Sequence, residues 1–217
     1  MPRPVAPDPR SLDKAFALLP AMLSEIGVTA TPQQLAQFRT HFDLLVRWNS
    51  RMNLTAIREP EEILRRHFVE SAFLTRVLKL GPGTLVDVGS GAGFPGLPAK
   101  VLSPETKVIL LEPVQKKVAF LKEVARSLGL PGIEVLAARA EEAQVQGHWV
   151  VIRAVKVSPI LLSVLARMIV SRGTLAIFTV ERDAQETMRR KLGNFHWVMH
   201  PVPSVGKLVI LVGQCFT

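Results

Sequence analysis

The first 80 residues carry apolar side chains at the three- and four-residue spacing of amphipathic helices. One predicted helix is interrupted near Pro20 and ends at Gly27. A second begins at Thr31-Pro32-Gln33-Gln34, which combines an N-cap threonine, a proline in the first turn and a glutamine for a capping box. Its buried stripe is predicted to be Leu35, Phe38, Phe42 and Leu45. A third begins at Pro60 and continues to about Leu80. The pattern predicts a helical N-terminal domain over residues 1–80.

From residue 81 onward, short apolar runs alternate with helical segments, which is typical of an α/β fold with a mostly parallel sheet. We predict seven strands, at residues 85–88, 108–111, 133–136, 150–152 and 174–178, around Trp197, and at residues 208–212. Only a short segment joins the last two strands, so they should form an antiparallel hairpin at the far edge of the sheet. Residues 81–217 are therefore predicted to form a Rossmann-like domain.

A glycine-rich turn, DVGSGAGFPG, follows the first strand at residues 87–96. It begins with Asp87, and Gly89, Gly91 and Gly93 allow its backbone to approach a ligand closely. A dinucleotide fingerprint counted from Gly89 requires a glycine where Phe94 stands, which weakens an NAD-binding interpretation. A P-loop is excluded because the turn has no Gly-Lys-Ser/Thr ending. The spacing D-x-G-x-G-x-G instead resembles the first motif of class I S-adenosylmethionine-dependent methyltransferases.

Acidic positions after the next two strands support this interpretation. Glu112 ends the second strand, where a carboxylate can accept both ribose hydroxyls of a bound nucleoside, although an acid at a strand end can also be solvated. After the third strand, the sequence Ala140-Glu141-Glu142 is placed to meet an adenine, or its acids open a helix. S-adenosylmethionine is therefore the predicted cofactor.

Charge and composition narrow the class of partner. Lysine and arginine number 27 against 18 acidic residues, and the net charge of +9 favours nucleic acid ahead of an anionic membrane.

The apolar runs are far shorter than the roughly 20 residues of a membrane span, so a soluble protein is expected. The single Cys215 excludes an internal disulfide, and the N-terminal residues lack the pattern of a secretory signal. We therefore expect a cytoplasmic protein.

No metal site is expected from the histidines. His196 and His200 are four residues apart, but they lie in a predicted strand, where this spacing does not bring two side chains together as it does on a helix.

The chain resembles the RsmG (GidB) family, bacterial enzymes that methylate the N7 nitrogen of a guanine in 16S ribosomal RNA. The sequences that carry the resemblance are WN at 48–49, NLT at 53–55, RH at 66–67, ES at 70–71, DVGSGAGFPGLP at 87–98, KKVAFLKEV at 116–124, RAEE at 139–142, RA at 153–154 and GKLVI at 206–210. The resemblance implies 16S ribosomal RNA or the small ribosomal subunit as the partner, and we expect a monomer.

Matching positions imply individual site residues. The family's cofactor contacts correspond to Gly89, Phe94, Ala140, Glu141 and Arg153. Arg139 and Lys207 match basic positions on the RNA side.

The helical region supplies further candidates. His67, Glu70 and Ser71 are spaced at i, i+3 and i+4, so they should share one helical face and reach a single polar spot. Asn49 and Asn53 have the same spacing. His67 has an alternative interpretation as a hydrogen-bonded histidine at the domain interface, and Trp48 is expected in the core.

Three features depart from the family pattern. Glu70 replaces the usual aspartate, Thr179 stands where a lysine commonly follows the fifth strand, and the chain has no tyrosine. Lys156, just beyond the fourth strand, is a candidate to supply the missing charge, since ligands bind at the carboxyl ends of the strands in open α/β sheets. The other interpretation of Lys156 is a solvated loop residue.

The implied chemistry needs no general base, because the lone pair of a guanine N7 is free at neutral pH. Catalysis should come from alignment, exclusion of water and placement of charge. Two alternatives remain open. One is an enzyme of the same fold that methylates another RNA, a protein or a small molecule, and the other is a catalytically idle RNA-binding protein.

Overall fold

The computed structural model describes residues 8–153, 157–189, 195–203 and 207–215. Its α-helices are α1 (Pro9–Ala17), α2 (Leu19–Glu25), α3 (Pro32–Met52), α4 (Pro60–Ile63), α5 (Glu70–Val77), α6 (Gly96–Leu102), α7 (Gln115–Leu128), α8 (Pro159–Arg167) and α9 (Glu181–Arg189). A π-helical segment, Leu64–Val69, joins α4 to α5. The strands are β1 (Gly83–Val88), β2 (Thr106–Leu111), β3 (Ile133–Leu136), β4 (Gly147–Arg153), β5 (Ile169–Val180), β6 (Phe195–Pro201) and β7 (Leu208–Cys215).

The predicted start of α3 is confirmed in detail. The backbone N–H of Gln34 donates to the Thr31 hydroxyl at 3.2 Å, and the Thr31 N–H donates to the Gln34 side chain at 2.8 Å. These two bonds satisfy amides that have no partner within the helix. The first predicted helix breaks at Leu18 rather than at Pro20, because a proline is tolerated in the first turn of α2, where its missing N–H costs no bond.

The third predicted helix is not continuous. It ends at Val77 rather than near Leu80, and its middle, Leu64–Val69, is π-helical. Hydrogen bonds in a π-helix join residues five apart, so side chains there no longer follow the spacing of an α-helix. The α-helical spacing assumed for His67, Glu70 and Ser71 is therefore interrupted at His67, which lies in the π-helical segment.

The fold class predicted from the sequence is confirmed. The seven strands form one sheet in the order β3-β2-β1-β4-β5-β7-β6. The first five strands are parallel, whereas β7 is antiparallel to both β5 and β6. The crossovers reverse direction between β1 and β4, and a crevice at such a switch point is where open α/β sheets bind ligands.

Apolar side chains from α6, α7 and the N-terminal helices cover one face of the sheet, and α8 and α9 cover the other. On the first face, Phe42 and Leu64 belong to the same buried cluster as Leu85 and Leu110. The helical region and the sheet therefore share a hydrophobic core, and the domain boundary after residue 80 stays a prediction. No helix among the described residues is long and apolar enough to cross a membrane.

Candidate active site

The glycine-rich turn leaves the carboxyl end of β1 at the switch point of the sheet. The backbone N–H groups of Gly89 and Ser90 both donate to the Leu111 carbonyl, at 2.9 and 3.0 Å, which attaches the turn to the end of β2. The N–H groups of Gly93 and Phe94 donate to the Ser90 carbonyl at 2.7 and 3.0 Å. We call residues 89–96 the glycine loop.

The glycines of the loop have two different surroundings. A β-carbon built on Gly89 would have no atom of the described residues within 4 Å, although the backbone has φ +72°. A β-carbon on Gly93 would lie 2.3 Å from the side chain of Leu97. Gly89 therefore borders open space in which a ligand can lie, whereas Gly93 is needed for packing. This distinction cannot be obtained from the glycine spacing alone.

Glu112 lies directly against the loop. Its side chain is buried at the end of β2, where Oε2 accepts from the Gly91 N–H at 2.9 Å and Oε1 accepts from the Val114 N–H at 3.0 Å. Each carboxylate oxygen keeps a second lone pair, so a further donor can be bound.

Asp87 is wholly buried beneath the loop. Its Oδ2 accepts from the Gly96 N–H at 2.9 Å, but Oδ1 has no hydrogen-bond partner among the described residues. Burial raises the pKa of the carboxyl to about 7, against the opposing effects of the Gly96 N–H, the Ser90 side chain and Arg153. A buried polar atom without a partner is unusual and marks a place where a ligand can compensate it.

Arg153, at the end of β4, joins the sheet to the helical region. Its guanidinium donates to the Glu70 carboxylate, to the Arg66 carbonyl and, at 3.0 Å, to the Ser71 hydroxyl. It also lies over the ring of Phe178, with 5.5 Å to the centroid. Burial raises the pKa of Glu70, and Arg153 and Arg66 oppose this shift. Glu70 and Ser71 therefore meet at one polar spot, as expected, and that spot is Arg153.

His67 has other partners. Its Nε2 lies 2.9 Å from the Thr55 hydroxyl, and its ring stacks on Phe94 with centroids 4.9 Å apart. Burial, together with the charge of Arg153, lowers the pKa of His67 to about 3, so the ring is neutral at neutral pH.

The two asparagines shape the segment after α3. Asn49 is buried, and its side chain accepts from the Thr55 N–H at 2.9 Å and donates to the Ile57 carbonyl at 3.4 Å. Asn53 has φ +49°, and its side chain accepts from Arg58 at 2.7 Å. Asn49 thus acts on the loop that holds Thr55 against His67. Trp48 was expected in the core; it is partly buried and packs edge-on against Phe120 at the border of the core.

His41 was missed from the sequence. It lies on α3 with 1% of its surface exposed, its Nε2 is 2.9 Å from the Ala92 carbonyl of the glycine loop, and its ring stacks on Phe94. Phe94 is thereby enclosed between His41 and His67, so its ring is not available to a ligand and only its backbone is. The signal that was available is the position of His41 within the apolar stripe of α3.

The loop after β3 carries three further predicted residues. Arg139 and Glu141 are exposed, and Ala140 is half-buried. The Arg139 carbonyl accepts from Glu142 and Ala143, which closes a turn rather than the helix considered from the two acids. Ala140 and Glu141 border a pocket of about 490 Å³ that extends to α8 and does not include the glycine loop. Glu112 does not line this pocket.

Lys207 lies close to the end of β5. Its carbonyl accepts from the Glu181 N–H at 3.2 Å, and the next residue pairs with Val180. Thr179 pairs with Val209, so Lys207 lies two residues from the position that pairs with Thr179. Lys156 lies outside the described residues. Within the described part of the chain, no group of three or more His, Cys, Asp or Glu side chains is placed to hold a metal.

Comparisons with known proteins show which proteins this chain resembles. A family model described as GidB, rRNA small subunit methyltransferase G, matches residues 34–200. A ribosomal RNA small subunit methyltransferase G 1 from Syntrophobacter fumaroxidans is 42% identical over 165 residues, which cover 71% of this chain and 73% of that protein. The corresponding protein of Dehalococcoides mccartyi is 48% identical over 120 residues, 55% of this chain and 51% of the relative. The match thus spans about half the length of that relative.

Among solved structures, TYW2 from M. jannaschii in complex with AdoMet is similar with a TM-score of 0.55 at 14% identity, over 68% of this chain and 74% of that one. At this identity the likeness shows the fold.

Proposed function

Because the chain belongs to the GidB family of rRNA small subunit methyltransferases G, we propose that it transfers a methyl group from S-adenosylmethionine to the N7 nitrogen of a guanine in 16S ribosomal RNA. The observation that carries the proposal is the open glycine loop at the switch point of the sheet, with Glu112 hydrogen-bonded to it. A backbone turn next to an acid at the end of the neighbouring strand suits a nucleoside with a ribose.

The residues around the loop fit this cofactor. Open space at Gly89 leaves room for the ligand, and Glu112 would accept the ribose hydroxyls with its free lone pairs. The partnerless Oδ1 of Asp87 would be compensated by a cationic ligand beside it. We assign the adenine side to Ala140 and Glu141, and backbone contacts to Gly91, Gly93 and Phe94.

When bound, S-adenosylmethionine supplies an electrophilic methyl group on a sulfonium. No residue has to remove a proton from a guanine N7, so the chain's own contribution is to position and to exclude water. Arg153, held by Glu70 and Ser71, fixes the start of α5 at the carboxyl end of β4. His67 and Asn49 hold the adjoining segment in place, which keeps the charges beside the glycine loop in fixed positions.

We assign RNA contacts to the exposed side chains of Arg139 and Lys207. Lys207 would supply the positive charge that Thr179 lacks, because it lies two residues from the position that pairs with Thr179, and Lys156 is a second candidate for that role. The net charge of +9 supports a polyanionic substrate, such as 16S ribosomal RNA or the small ribosomal subunit. We propose a monomer that acts in the cytoplasm.

The test is incubation with S-adenosylmethionine carrying a labelled methyl group, and with 16S ribosomal RNA that is either naked or assembled in small subunits. Digestion to nucleosides then identifies the product. We expect label in N7-methylguanosine and in no other nucleoside. Label in a different nucleoside would replace the proposed target. Cofactor binding without label in any RNA would favour the idle RNA-binding protein, for which the threonine at position 179 is the motivating observation.

A further inference from the structure

The ring of Phe94 fills the centre of a stack of three rings. The His41 ring lies on one side with centroids 4.7 Å apart and planes inclined by 15°, and the His67 ring lies on the other at 4.9 Å and 18°. Phe68 closes the edge of the stack at 5.0 Å. Because Phe94 belongs to the glycine loop while both histidines come from the helical region, the stack ties the loop to a separate part of the chain.

His41 holds the loop at a second point. Its Nε2 lies 2.9 Å from the carbonyl oxygen of Ala92, two residues before Phe94. A carbonyl only accepts, so Nε2 carries the proton and donates. Burial lowers the pKa of His41 to about 4, so at neutral pH the ring is uncharged and this is its one N–H. A single side chain thus contacts both the backbone and the aromatic ring of the loop.

We propose that His41 is a positioning residue for cofactor binding. It holds the glycine loop in the conformation that leaves open space at Gly89, by donating a hydrogen bond to the Ala92 carbonyl and by stacking on Phe94. The inference rests on the proposed function, because it assigns the loop to S-adenosylmethionine. His41 itself is buried and does not touch the ligand space. Its effect passes through the loop backbone, where the exposed Gly89 and the Glu112-bonded Gly91 lie.

The experiment compares three variants. His41→Phe keeps a stacking ring but loses the bond to Ala92. His41→Gln keeps a donor for Ala92 but loses the stack. Phe42→Leu is the matched control, because Phe42 is equally buried on α3 and its ring pairs with Phe16 and Phe68 rather than with Phe94. Phe94→Leu removes the stack from the side of the loop if the His41 variants fold poorly.

Two quantities are measured. One is hydrogen exchange at the amides of Gly93 and Phe94 in protein without cofactor, since both amides bond Ser90 within the loop. The other is the Kd for S-adenosylhomocysteine by calorimetry. We expect about tenfold faster exchange and about tenfold weaker binding in His41→Phe. This is the size of effect that the loss of one buried hydrogen bond produces. His41→Gln should restore part of the binding, and Phe42→Leu should lose stability while both quantities stay at the wild-type values.

Unchanged loop exchange and affinity in His41→Phe and Phe94→Leu would overturn the proposal, and so would an equal change in Phe42→Leu. If the wild-type protein binds no S-adenosylhomocysteine, the proposed function fails. The exchange measurement needs no cofactor, so it still decides whether His41 positions the loop.

Discussion

Arg153 at the end of β4 forms an ion pair with Glu70 at the start of α5, and both side chains are withdrawn from solvent. The Glu70 side chain is 1% exposed and that of Arg153 is 13% exposed. Without Glu70, Arg153 would carry most of the cost of leaving water, whereas Glu70 also pairs with Arg66 at 3.2 Å. The pair is therefore a link between the helical region and the sheet, and both parts depend on it.

Replacing Glu70 should destabilise the whole fold. We expect Glu70→Ala to lower the free energy of unfolding by about 3–5 kcal/mol, because it leaves Arg153 buried without a counter-charge. Urea denaturation measures the loss. Glu61→Ala is the control, since Glu61 pairs with Arg65 on an exposed surface and should cost no more than about 1 kcal/mol. Equal losses in the two variants would contradict the importance given to the buried pair.

Replacing Glu112 should weaken cofactor binding. Glu112→Ala removes a charged acceptor and also releases the Gly91 amide, so the Kd for S-adenosylmethionine should rise roughly tenfold to hundredfold, for about 1.5–3 kcal/mol. Calorimetry at neutral pH checks this. Glu134→Ala, at an exposed ion pair with Lys107 between β2 and β3, should bind as the wild type does. An unaltered Kd in Glu112→Ala would remove this carboxylate from the cofactor site.

Two glycine substitutions should distinguish a glycine that leaves room for the cofactor from a glycine that is needed for packing. Gly89→Ala places a methyl group in open space at φ +72°, so we expect a strain of only about 1–2 kcal/mol but a clear loss of cofactor affinity. Gly93→Ala places its methyl group against Leu97 and should cost more stability than Gly89→Ala. Thermal unfolding and calorimetry on both proteins measure the two effects. The prediction is wrong if Gly89→Ala binds the cofactor normally.

Acid should destabilise the protein partly through His41. Its pKa is lowered to about 4 by burial, against 6.5 for the free side chain, so between these values unfolding takes up a proton. Stability from this group is complete above about pH 6.5 and falls by up to ~1.4 kcal/mol per unit as the pH drops toward 4. His41→Phe should therefore show a flatter dependence of unfolding free energy on pH between about 4.5 and 6.

Comparison of variants isolates this contribution. Asp87, whose pKa is raised to about 7, acts in the opposite direction, but it is present in both proteins and cancels in the difference. Phe42→Leu should keep the wild-type slope. The same slope in His41→Phe and in the wild type would show that the pKa of His41 does not differ between the folded and the unfolded protein.

Much of the fold was predictable from short stretches of the sequence. The capping box at Thr31 and Gln34 and the strands ending near Val88 and Leu111 were predictable, because each depends on residues close together in the chain. The antiparallel edge followed from the short connection between the last two strands. Glu112 was predictable for the same reason, since an acid that ends the strand next to a glycine turn must lie beside that turn.

Other features depend on contacts between distant parts of the chain. The i, i+3, i+4 spacing assumed an α-helix where Leu64–Val69 is π-helical, a change that the side-chain pattern does not encode. The cofactor role of Arg153 stays a prediction, and its bonds to Glu70 and Ser71 were not predictable because they join residues more than 80 positions apart. His41 lies at helical spacing between Phe38 and Phe42, yet its partner Ala92 becomes its neighbour only after folding.

The position of β7 bears on how the chain is assembled during synthesis. Among the described strands, β6 hydrogen-bonds to β7 alone, although β6 comes first in the chain. A polypeptide leaving the ribosome therefore exposes β6 while the strand that must lie between it and β5 has not yet been made. The pairing of β7 with β5 spans α9 and β6, and non-local pairing is slow and leaves strand edges open to other chains. Only after β7 has been translated can β6 join the sheet.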